Sequence, residues 1–264
     1  IELWSLFTDG LTTMDLWKPY KREMKLLEES IYDMETKGLN ILENNLEKSH
    51  EEYCEERCSL ETNLHKISDI NFRSQIELPA FLFGVPKTVE NQKTGKKEIV
   101  VKFRGEETKF SDLPLNSKFT PIFLSRKNCL KLPVGKVTKT NFSADKYTLS
   151  KLLAGPLSKK QSKYLNTLHD WKDVNKAIQQ LETIQRFKSV DSKIYFSIKQ
   201  NGTKTTRVSA SNPNPQQISK GKEFENEDGS KGTKYKIRSV FGPRKGRVWY
   251  CIDYSQLQLR IFAY

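Results

Sequence analysis

Residues 247–262 decide the fold, and they read RVWYCIDYSQLQLRIF. The first seven, 247–253, are rich in aromatic and β-branched side chains, which predicts a β-strand that ends at Asp253. Three apolar residues lie on one face of this predicted strand: Val248, Tyr250 and Ile252. A helical pattern begins directly afterwards, with Leu257 and Ile261 four positions apart. The stretch therefore predicts a strand followed at once by a helix, with a carboxylate at their junction.

The carboxylate of Asp253 is the candidate catalytic and metal-binding group. An acid at the end of a strand, pointing into a cleft, is a common ligand for Mg²⁺. Two such ions can align an attacking hydroxyl with a leaving phosphate. The pattern also has a simpler interpretation, because Ser255 with Gln258 three positions later fits a capping box at the start of the helix. The local pattern alone favours the capping box.

The charge of the chain points to a polyanionic partner. Its 264 residues include 45 Lys and Arg and 32 Asp and Glu, for a net charge of +13. Residues 1–70 hold twice as many acids as bases, so the remainder is strongly basic. Because this basic part also has Asn, Ser, Gln and aromatic residues in its predicted loops, nucleic acid is the first candidate partner. An anionic membrane surface is the second candidate, but no basic amphipathic helix supports it.

The sequence shows no sign of secretion or membrane insertion. It contains no run of 18 apolar residues and no charged start followed by an apolar stretch. Its four cysteines lack the partners of a zinc site, so we expect reduced thiols and a cytoplasmic location, in the host if the protein is viral. They stand at Cys54, Cys58, Cys129 and Cys251. Because the sequence begins with Ile1, we also expect a processed product or a fragment.

The rest of the chain divides into helical and extended patterns. Four segments have helical periodicity or composition: 21–37, 43–64, 146–154 and 158–189. Residues 98–110 predict a β-hairpin that turns near Gly105, and residues 193–199 predict a strand. Residues 111–145 are expected to be irregular, and residues 200–235 are expected to form a long loop.

Three motifs resemble those of one enzyme family. Asp253 to Arg260, DYSQLQLR, resembles motif A of the family A, DNA polymerase I-like polymerases, which usually reads DYSQIELR. Residues 205–218, TTRVSASNPNPQQI, look like the family's TGRLSSSNPNLQNI segment. Residues 236–241, KIRSVF, are similar to its IRxxF stretch. Since the motifs also follow the family's order, the chain is identified as a member of this family.

The resemblance is fainter toward the N-terminus. Residues 32–38, YDMETKG, are similar to the family's ME-x-x-G helix end, and residues 71–75 and 138–143 are similar to two further elements. The D-x-E pair within 32–38 also matches a proofreading exonuclease, but its helical pattern argues against that site. The hairpin at 98–110 has no counterpart and is interpreted as an insertion. The style of the sequence resembles that of viral (phage) members.

The resemblance implies an α+β fold. A helical thumb subdomain with a small β insertion would join the start of an antiparallel palm sheet. Residues 1–64 would be the helical segment that opens the polymerase region, and 65–190 the thumb-like subdomain. Residues 191–264 would be a partial palm with the primer-template loop and motif A. The fingers and the rest of the palm would be absent.

The resemblance assigns the chemistry to motif A. It implies that Asp253 binds both catalytic Mg²⁺ ions of the complete enzyme and that Tyr254 adds its backbone carbonyl. Divalent metals neutralise the charge that develops when a primer 3′-hydroxyl attacks a dNTP. Four residues would line the nucleotide pocket: Ser255, Gln256, Leu257 and Gln258. The implied activity is template-directed DNA synthesis by nucleotidyl transfer.

The resemblance also implies contacts with primer-template DNA. Arg207 would reach the minor groove near the primer end, where acceptors are common to all base pairs. Six further residues would contact the backbone or base edges nearby: Ser209, Ser211, Asn212, Asn214, Gln216 and Arg238. Without the resemblance, the run from 209 to 216 would be interpreted as an Asn- and Ser-rich turn that satisfies its own hydrogen bonds.

Three positions depart from the family pattern. Thr206 replaces a glycine, and a β-branched residue resists the backbone angles that glycine allows. Gln258 replaces the motif A glutamate, which helps to exclude the ribose 2′-hydroxyl, so we expect sugar discrimination to survive in weakened form. Tyr264 replaces a histidine, whose role is therefore not transferred.

Two parts of the family's active site are missing after Asp253. They are a helix with Arg, Lys and Tyr that binds the triphosphate, and a second metal-binding aspartate in a His-Asp pair. His169 and Asp170 form such a pair before motif A and are interpreted as surface residues. We therefore expect this chain to be inactive alone, poorly soluble, and dependent on a second chain with the fingers and second aspartate. A non-enzymatic DNA-binding remnant and one half of a split polymerase are the alternatives; an RNA polymerase relative is weaker.

Overall fold

The computed structural model describes residues 2–90, 97–113, 118–125, 128–138, 141–200, 202–203, 207–225 and 230–263. The chain forms two compact units. The first unit comprises Ile1–Tyr53 and Ala177–Tyr264, and the second comprises Cys54–Lys176. Helices and small antiparallel sheets make up both units, which confirms the predicted α+β class. The functional names given to the three predicted segments stay predictions.

The first unit opens with helices α1 (Glu2–Thr13), α2 (Trp17–Leu26) and α3 (Tyr32–Lys37). A π-helical turn, Leu27–Ile31, joins α2 to α3 without a break, so the helix predicted over 21–37 is confirmed and begins earlier. It ends at Gly38, whose N–H donates to the carbonyl of Met34 at 3.1 Å. Gly38 has a φ of 62°, a left-handed conformation that favours glycine.

Two long helices contribute residues to both units. They are α4 (Glu43–His65) and α7 (Lys159–Phe187), which confirm the patterns predicted over 43–64 and 158–189. In the first unit, Leu46 of α4 and Leu181 of α7 are buried. In the second unit, Leu64 and Leu168 lie within the main hydrophobic cluster. Apolar residues at helical spacing thus keep one side of each helix out of water.

The second unit is built around an aromatic and aliphatic core. Helix α5 (Glu77–Phe83) buries four residues and tolerates Pro79 because it lies in the first turn, where the missing N–H has no helical partner. Helix α6 (Lys146–Leu153) confirms the pattern at 146–154. Its N-cap is Asp145, whose side chain accepts a hydrogen bond from the Thr148 N–H at 2.7 Å. This bond lowers the pKa of the Asp145 carboxyl.

The predicted hairpin is part of a larger sheet in the second unit. Strands β4 (Lys97–Phe103) and β5 (Glu106–Lys109) pair in antiparallel fashion, and Arg104 and Gly105 both have positive φ in the turn. Strands β3 (Thr88–Glu90) and β6 (Thr120–Pro121) pair with the other edge of β4. A separate pair joins β2 (Val85–Pro86) to β7 (Phe123–Ser125). Ile99 and Val101 of β4 extend into the hydrophobic cluster.

The first unit contains three two-stranded sheets. Strand β1 (Leu39–Asn40) pairs with β8 (Lys193–Ile194), and β9 (Ser197–Lys199) pairs with β10 (Ser209–Ser211). The strand predicted over 193–199 is therefore two strands with different partners. Strand β11 (Lys222–Glu225) pairs with β12 (Lys231–Lys234). The expectation of a long loop over 200–235 is wrong, because β10 and this hairpin lie within it.

The strand predicted over 247–253 is also wrong. No ladder hydrogen bonds form there, since nothing in the described part of the chain lies beside it as a partner strand. Tyr250 and Ile252 are 85% and 90% exposed. Helix α8 (Leu257–Ala263) follows, as predicted. Its exposed apolar residues agree with the expected dependence on a partner.

Among the helices of the described ranges, none has the length and apolar character needed to cross a membrane. The thiols of all four cysteines are free.

Candidate nucleic-acid interface

The sheet of β9 and β10 presents two of the predicted DNA-contacting residues together. Ser209 and Ser211 alternate with Ala210, so their side chains lie on one face of β10 while Ala210 is buried on the other. Opposite them, Lys199 pairs with Ser209 across the two strands. This face therefore combines hydroxyl groups with a cation, which suits phosphate oxygens.

The segment 207–219, which follows the strand direction of β10 into a turn, is held by its own side chains. The Oδ1 of Asn214 accepts a hydrogen bond from the Gln216 N–H at 3.0 Å and caps a short 3₁₀ turn. The side chain of Gln216 turns back to β10, where its Oε1 accepts from Ala210 N–H at 3.2 Å. Its Nε2 donates to the Val208 carbonyl at 3.1 Å. Asn214 and Gln216 thus shape the segment that they were predicted to use for binding.

Two side chains from other elements fasten the end of this segment. The Nε2 of Gln180, on α7, donates to the Gln217 carbonyl at 3.2 Å, and its Oε1 accepts from the Ser219 N–H at 3.3 Å. The guanidinium of Arg238 donates to the Ile218 carbonyl, with its Nη2 at 3.2 Å. Three consecutive residues are therefore bound by an amide and a guanidinium, which limits the freedom of the segment.

Arg207 and Asn212 are the predicted contacts most open to solvent in this segment. Both are exposed, whereas Ser209, Ser211 and Asn214 are half-buried. The backbone carbonyl of Arg207 accepts a hydrogen bond from the Thr203 hydroxyl at 2.8 Å, which leaves its guanidinium at the surface. An exposed guanidinium followed by hydroxyl and amide groups can bind phosphates and groove acceptors. Thr206 lies outside the described residues.

Asp253 lies in an exposed and extended part of the first unit. It and Tyr254 precede a turn at Ser255 and Gln256, and α8 begins at Leu257. Gln256, with a φ of 51°, therefore occupies the N-cap position. The predicted capping box is wrong, because it would place Ser255 there. The side chain of Gln258 and the whole of Tyr264 lie outside the described residues.

The groups at Asp253 fit a hard divalent cation in part. A carboxylate and the adjacent Tyr254 carbonyl are oxygen donors, which Mg²⁺ prefers, and both residues are exposed. An octahedral shell needs more ligands, which water and substrate phosphates commonly supply. The motif A residues can therefore provide one side of a metal site.

A different acidic cluster lies in the second unit. His169, Asp170 and Asp173 bring three potential ligand atoms within 4.8 Å of one another. Asp173 is only 9% exposed, and its Oδ1 accepts a hydrogen bond from Lys146 Nζ at 2.6 Å. His169 and Asp170 are half-buried, so the interpretation of this pair as plain surface residues needs correction. An ammonium already neutralises part of this cluster.

Some structural contacts near the interface could not be read from the sequence. Glu35 lies in the ME-x-x-G element, and its Oε1 accepts from the Ile198 N–H at the edge of β9. Asp33 forms an ion pair with Lys37 one helical turn later. The D-x-E pair thus stabilises helix and sheet, as its helical pattern indicated. Gln180 has no distinguishing sequence signal, because it is one of two adjacent glutamines in a long helix.

Electrostatic interactions also stabilise the β1–β8 region of the first unit. Lys193 and Tyr195 both bond to Asp191, and they lower the pKa of its carboxyl to about 2. Lys188 and Ser192 bond to Glu43 at the start of α4 and lower the pKa of that carboxyl. These charged pairs are exposed, so each contributes little to stability by itself.

Comparisons with known proteins agree with the motifs. Residues 117–264 match the sequence model of DNA polymerase family A. Two proteins called DNA polymerase I, from Caldicellulosiruptor bescii and Lactococcus lactis subsp. lactis, are 31% and 34% identical over 137 residues. Each match covers 51% of this chain and 14% of the relative. The chain therefore spans a small part of these relatives.

A solved structure shares the fold. It is described as the POL domain of Pol1 from M. smegmatis in complex with DNA primer-template and dNTP. The match has a TM-score of 0.63 and 21% identity, and it covers 97% of this chain and 35% of that chain. The similarity extends over both units, including the part that precedes the sequence match at residue 117.

Proposed function

Because this chain belongs to DNA polymerase family A, we propose that it holds primer-template DNA and supplies a metal-binding aspartate to a template-directed DNA polymerase. The reaction is the transfer of a nucleotide from a dNTP to the primer 3′-hydroxyl. The observation that supports this function best is the position of Asp253. It lies exposed, directly before α8, in the same unit as the 207–219 segment.

Asp253 and the Tyr254 carbonyl would hold Mg²⁺. The bound ions supply charge neutralisation at the phosphate groups and favour the ionised form of the attacking hydroxyl. Four residues of the turn and the first part of α8 would border the nucleotide: Ser255, Gln256, Leu257 and Gln258. The carboxylate of Asp253 remains ionised at neutral pH beside a cation, so it needs no proton transfer of its own.

The 207–219 segment would bind the DNA near the primer end. Arg207 offers a guanidinium to minor-groove acceptors, and Ser209 and Ser211 offer hydroxyls on one face of β10. Gln216 and Arg238 contribute mainly by shaping this segment, since both already bond to its backbone. Acceptors that all base pairs share would let the protein bind any sequence.

The apolar surface after residue 247 supports a dependence on further polypeptide. Trp249, Tyr250 and Ile252 are exposed, and so are Ile261 and Phe262 of α8. A surface of this kind is typical of a protein interface. We propose that a protein made of residues 1–264 alone does not extend a primer. Fingers and a second metal-binding aspartate would come from further polypeptide, either the same chain or a second one.

A DNA-binding protein without catalytic activity is the second candidate function. The basic surface favours it, but binding alone has no need for Asp253. Fluorescence anisotropy with a labelled primer-template tests the shared claim. We expect residues 1–264 to bind, and Arg207→Ala to weaken binding about tenfold, since guanidinium contacts contribute about 1–3 kcal/mol. Absence of binding, or templated primer extension by residues 1–264 alone, would contradict the proposal.

The mass of the natural polypeptide separates the remaining alternatives. A mass well above 30.7 kDa would identify these residues as part of a longer polymerase. A mass near 30.7 kDa would favour a split enzyme, and co-purification would then be expected to yield a second chain with the other aspartate.

A further inference from the structure

The hairpin of β11 and β12 adjoins the 207–219 segment. Strand β11 begins at Lys222, three residues after Ser219, and β12 ends at Lys234, shortly before Arg238. The residues between the strands, 226–229, lie outside the described ranges. The sequence of this hairpin resembles no motif of the family that we identified. It is therefore a feature whose role the proposed function does not yet explain.

The two faces of the hairpin differ in charge. Lys222 pairs with Lys234, and Phe224 pairs with Gly232, so these four residues share one face. Glu223 pairs with Thr233, and Glu225 pairs with Lys231, so both glutamates of β11 lie on the opposite face. The first face thus has two lysines, an aromatic ring and no acid among the paired residues. We refer to these four residues as the lysine–phenylalanine face.

Two lysines directly opposite each other are an unusual choice for a small sheet. Like charges in a cross-strand pair repel and destabilise the pairing. Glu223 or Glu225 would have relieved this repulsion had either been placed one position along its strand. A binding site for an anion is a physical reason for such a pair, because the anion attracts both ammonium groups.

The aromatic ring on this face is held flat against the backbone. A Cβ added to Gly232 would lie 2.3 Å from the Phe224 ring, so the glycine provides the space that the ring occupies. Phe224 remains 38% exposed. An exposed ring between two ammonium groups can pack against a sugar or base while the lysines contact phosphates.

The base of the hairpin is anchored to the 207–219 segment and its surroundings. Tyr235, directly after β12, is buried and packs edge-on against Tyr53 at a ring-centroid distance of 5.3 Å. Gly221, directly before β11, has a φ of 101°, and a Cβ there would lie 2.5 Å from the Lys234 carbonyl. Arg238 bonds to Ile218 on the other side. These contacts fix both ends of the hairpin next to the predicted DNA-binding residues.

We propose that the lysine–phenylalanine face of this hairpin binds the sugar-phosphate backbone of the primer-template duplex. A two-stranded β-ribbon fits a DNA groove, and its lysines would add phosphate contacts to those of the 207–219 segment. This inference rests on the proposed function. It adds a separate surface, outside the motifs of the family resemblance, that increases affinity without reading sequence.

Matched single substitutions test the inference by fluorescence anisotropy of residues 1–264 with a labelled primer-template duplex. Lys222→Gln and Lys234→Gln each remove one charge from the proposed binding face, and Lys231→Gln removes one from the opposite face. We expect either of the first two to weaken binding about threefold and to reduce the slope of log K against log salt by about 1. Lys231→Gln should leave both quantities unchanged.

A crosslinking experiment locates the contact without relying on affinity. Replacement of Phe224 by p-benzoylphenylalanine should give a light-dependent adduct with the duplex, and the same replacement at Glu223 should give none. Circular dichroism and the melting temperature identify a variant that fails to fold.

The outcomes separate this inference from the proposed function. If the unsubstituted chain fails to bind the duplex, both are overturned. If the chain binds and all three lysine variants behave alike, the hairpin contact is overturned and the proposed function stands. Equal crosslinking from positions 223 and 224, or none from position 224, would also overturn the hairpin contact.

Discussion

The side chain of Gln216 reaches back to Ala210 and accepts a hydrogen bond from its backbone N–H at 3.2 Å. The same amide donates to the Val208 carbonyl at 3.1 Å. Gln216 therefore closes the turn that follows β10 and fixes the direction in which the chain leaves the strand. Its contribution to DNA binding is expected to be largely indirect, through the shape of this turn.

Substitution of Gln216 should distinguish the two bonds. Gln216→Ala loses both, and we expect duplex affinity to fall about fivefold, since an exposed neutral hydrogen bond contributes about 0.5–1 kcal/mol. Gln216→Glu keeps the acceptor for Ala210 but has no donor for Val208, and its negative charge repels phosphate. We expect it to bind more weakly than Gln216→Ala and to show a steeper improvement as salt is raised from low concentration. Anisotropy titrations at several salt concentrations measure this; equal affinity of both variants and the unsubstituted chain would contradict it.

Gln180 should be a positioning residue for the same segment. Gln180→Ala removes the bonds to the Gln217 carbonyl and the Ser219 N–H, which are part of the fastening at residues 217–219. We expect a loss of about 1–2 kcal/mol in unfolding free energy and faster amide hydrogen exchange at Ser219. Gln179→Ala is the matched control, because Gln179 is the exposed neighbour on the same helix. Similar exchange rates in both variants would show that Gln180 does not hold the segment.

Gly38 should be sensitive to any added side chain. It has a φ of 62°, and a Cβ would lie 2.7 Å from the Ile194 carbonyl, so Gly38→Ala should destabilise the protein by more than about 1 kcal/mol. Gly10, inside α1, has no atom within 4 Å of an added Cβ. Gly10→Ala should therefore stabilise the helix by up to about 1 kcal/mol. Urea denaturation measures both, and a stabilising effect of Gly38→Ala would refute the strained contact.

Tyr164 should make stability fall at alkaline pH. Burial raises the pKa of its phenol to about 12, against an ordinary value near 10. Below pH 10 the phenol is neutral in both states and this stability is complete; above pH 10 the unfolded chain ionises first, so stability declines until about pH 12. Tyr164→Phe should lose the bond to Ser68 and also this decline. The lowered pKa of Lys172, which burial causes, acts in the opposite direction in both proteins.

Denaturation at several values between pH 9 and pH 11.5 compares these proteins. Tyr147→Phe serves as the control, because Tyr147 is exposed and its removal should leave the decline intact. A parallel decline in Tyr164→Phe and the unsubstituted chain would mean that another group causes it.

The sequence predicted the helices well, because their signals are local. Apolar residues at helical spacing and Gly38 after the last turn located the first long helix to within a few residues. The hairpin at Arg104 and Gly105 was predictable for the same reason, since its turn chemistry lies within the strands it connects. Helix-forming and turn-forming residues leave signals that need no distant partner.

The strands of the first unit were harder to predict. Strands β11 and β12 consist of lysine, glutamate, glycine and threonine with a single phenylalanine, so they lack the apolar alternation that indicates a strand. Residues 247–253 have strong strand composition but no partner strand in the described part of the chain. Strand formation depends on a neighbour as well as on composition, and sequence patterns report only the second.

The candidate site was predictable as a set of residues and less so as an arrangement. The motifs identified Arg207 and Asp253, and the structure leaves both exposed in one unit. The inward hydrogen bonds of Gln216 and Arg238 depend on backbone groups that the sequence does not reveal. Their predicted DNA contacts stay predictions.

The most direct test of the central claim is primer extension by the natural polypeptide that contains residues 1–264, with Asp253→Asn compared to the unsubstituted protein. Loss of the metal-binding carboxylate should slow extension at least about a thousandfold, since a catalytic metal contributes several kcal/mol to the transition state. Duplex affinity should be unchanged, and Asp69→Asn, at an exposed acid of the second unit, should extend normally. Extension by Asp253→Asn at the unsubstituted rate would contradict the assignment of Asp253 as the catalytic aspartate.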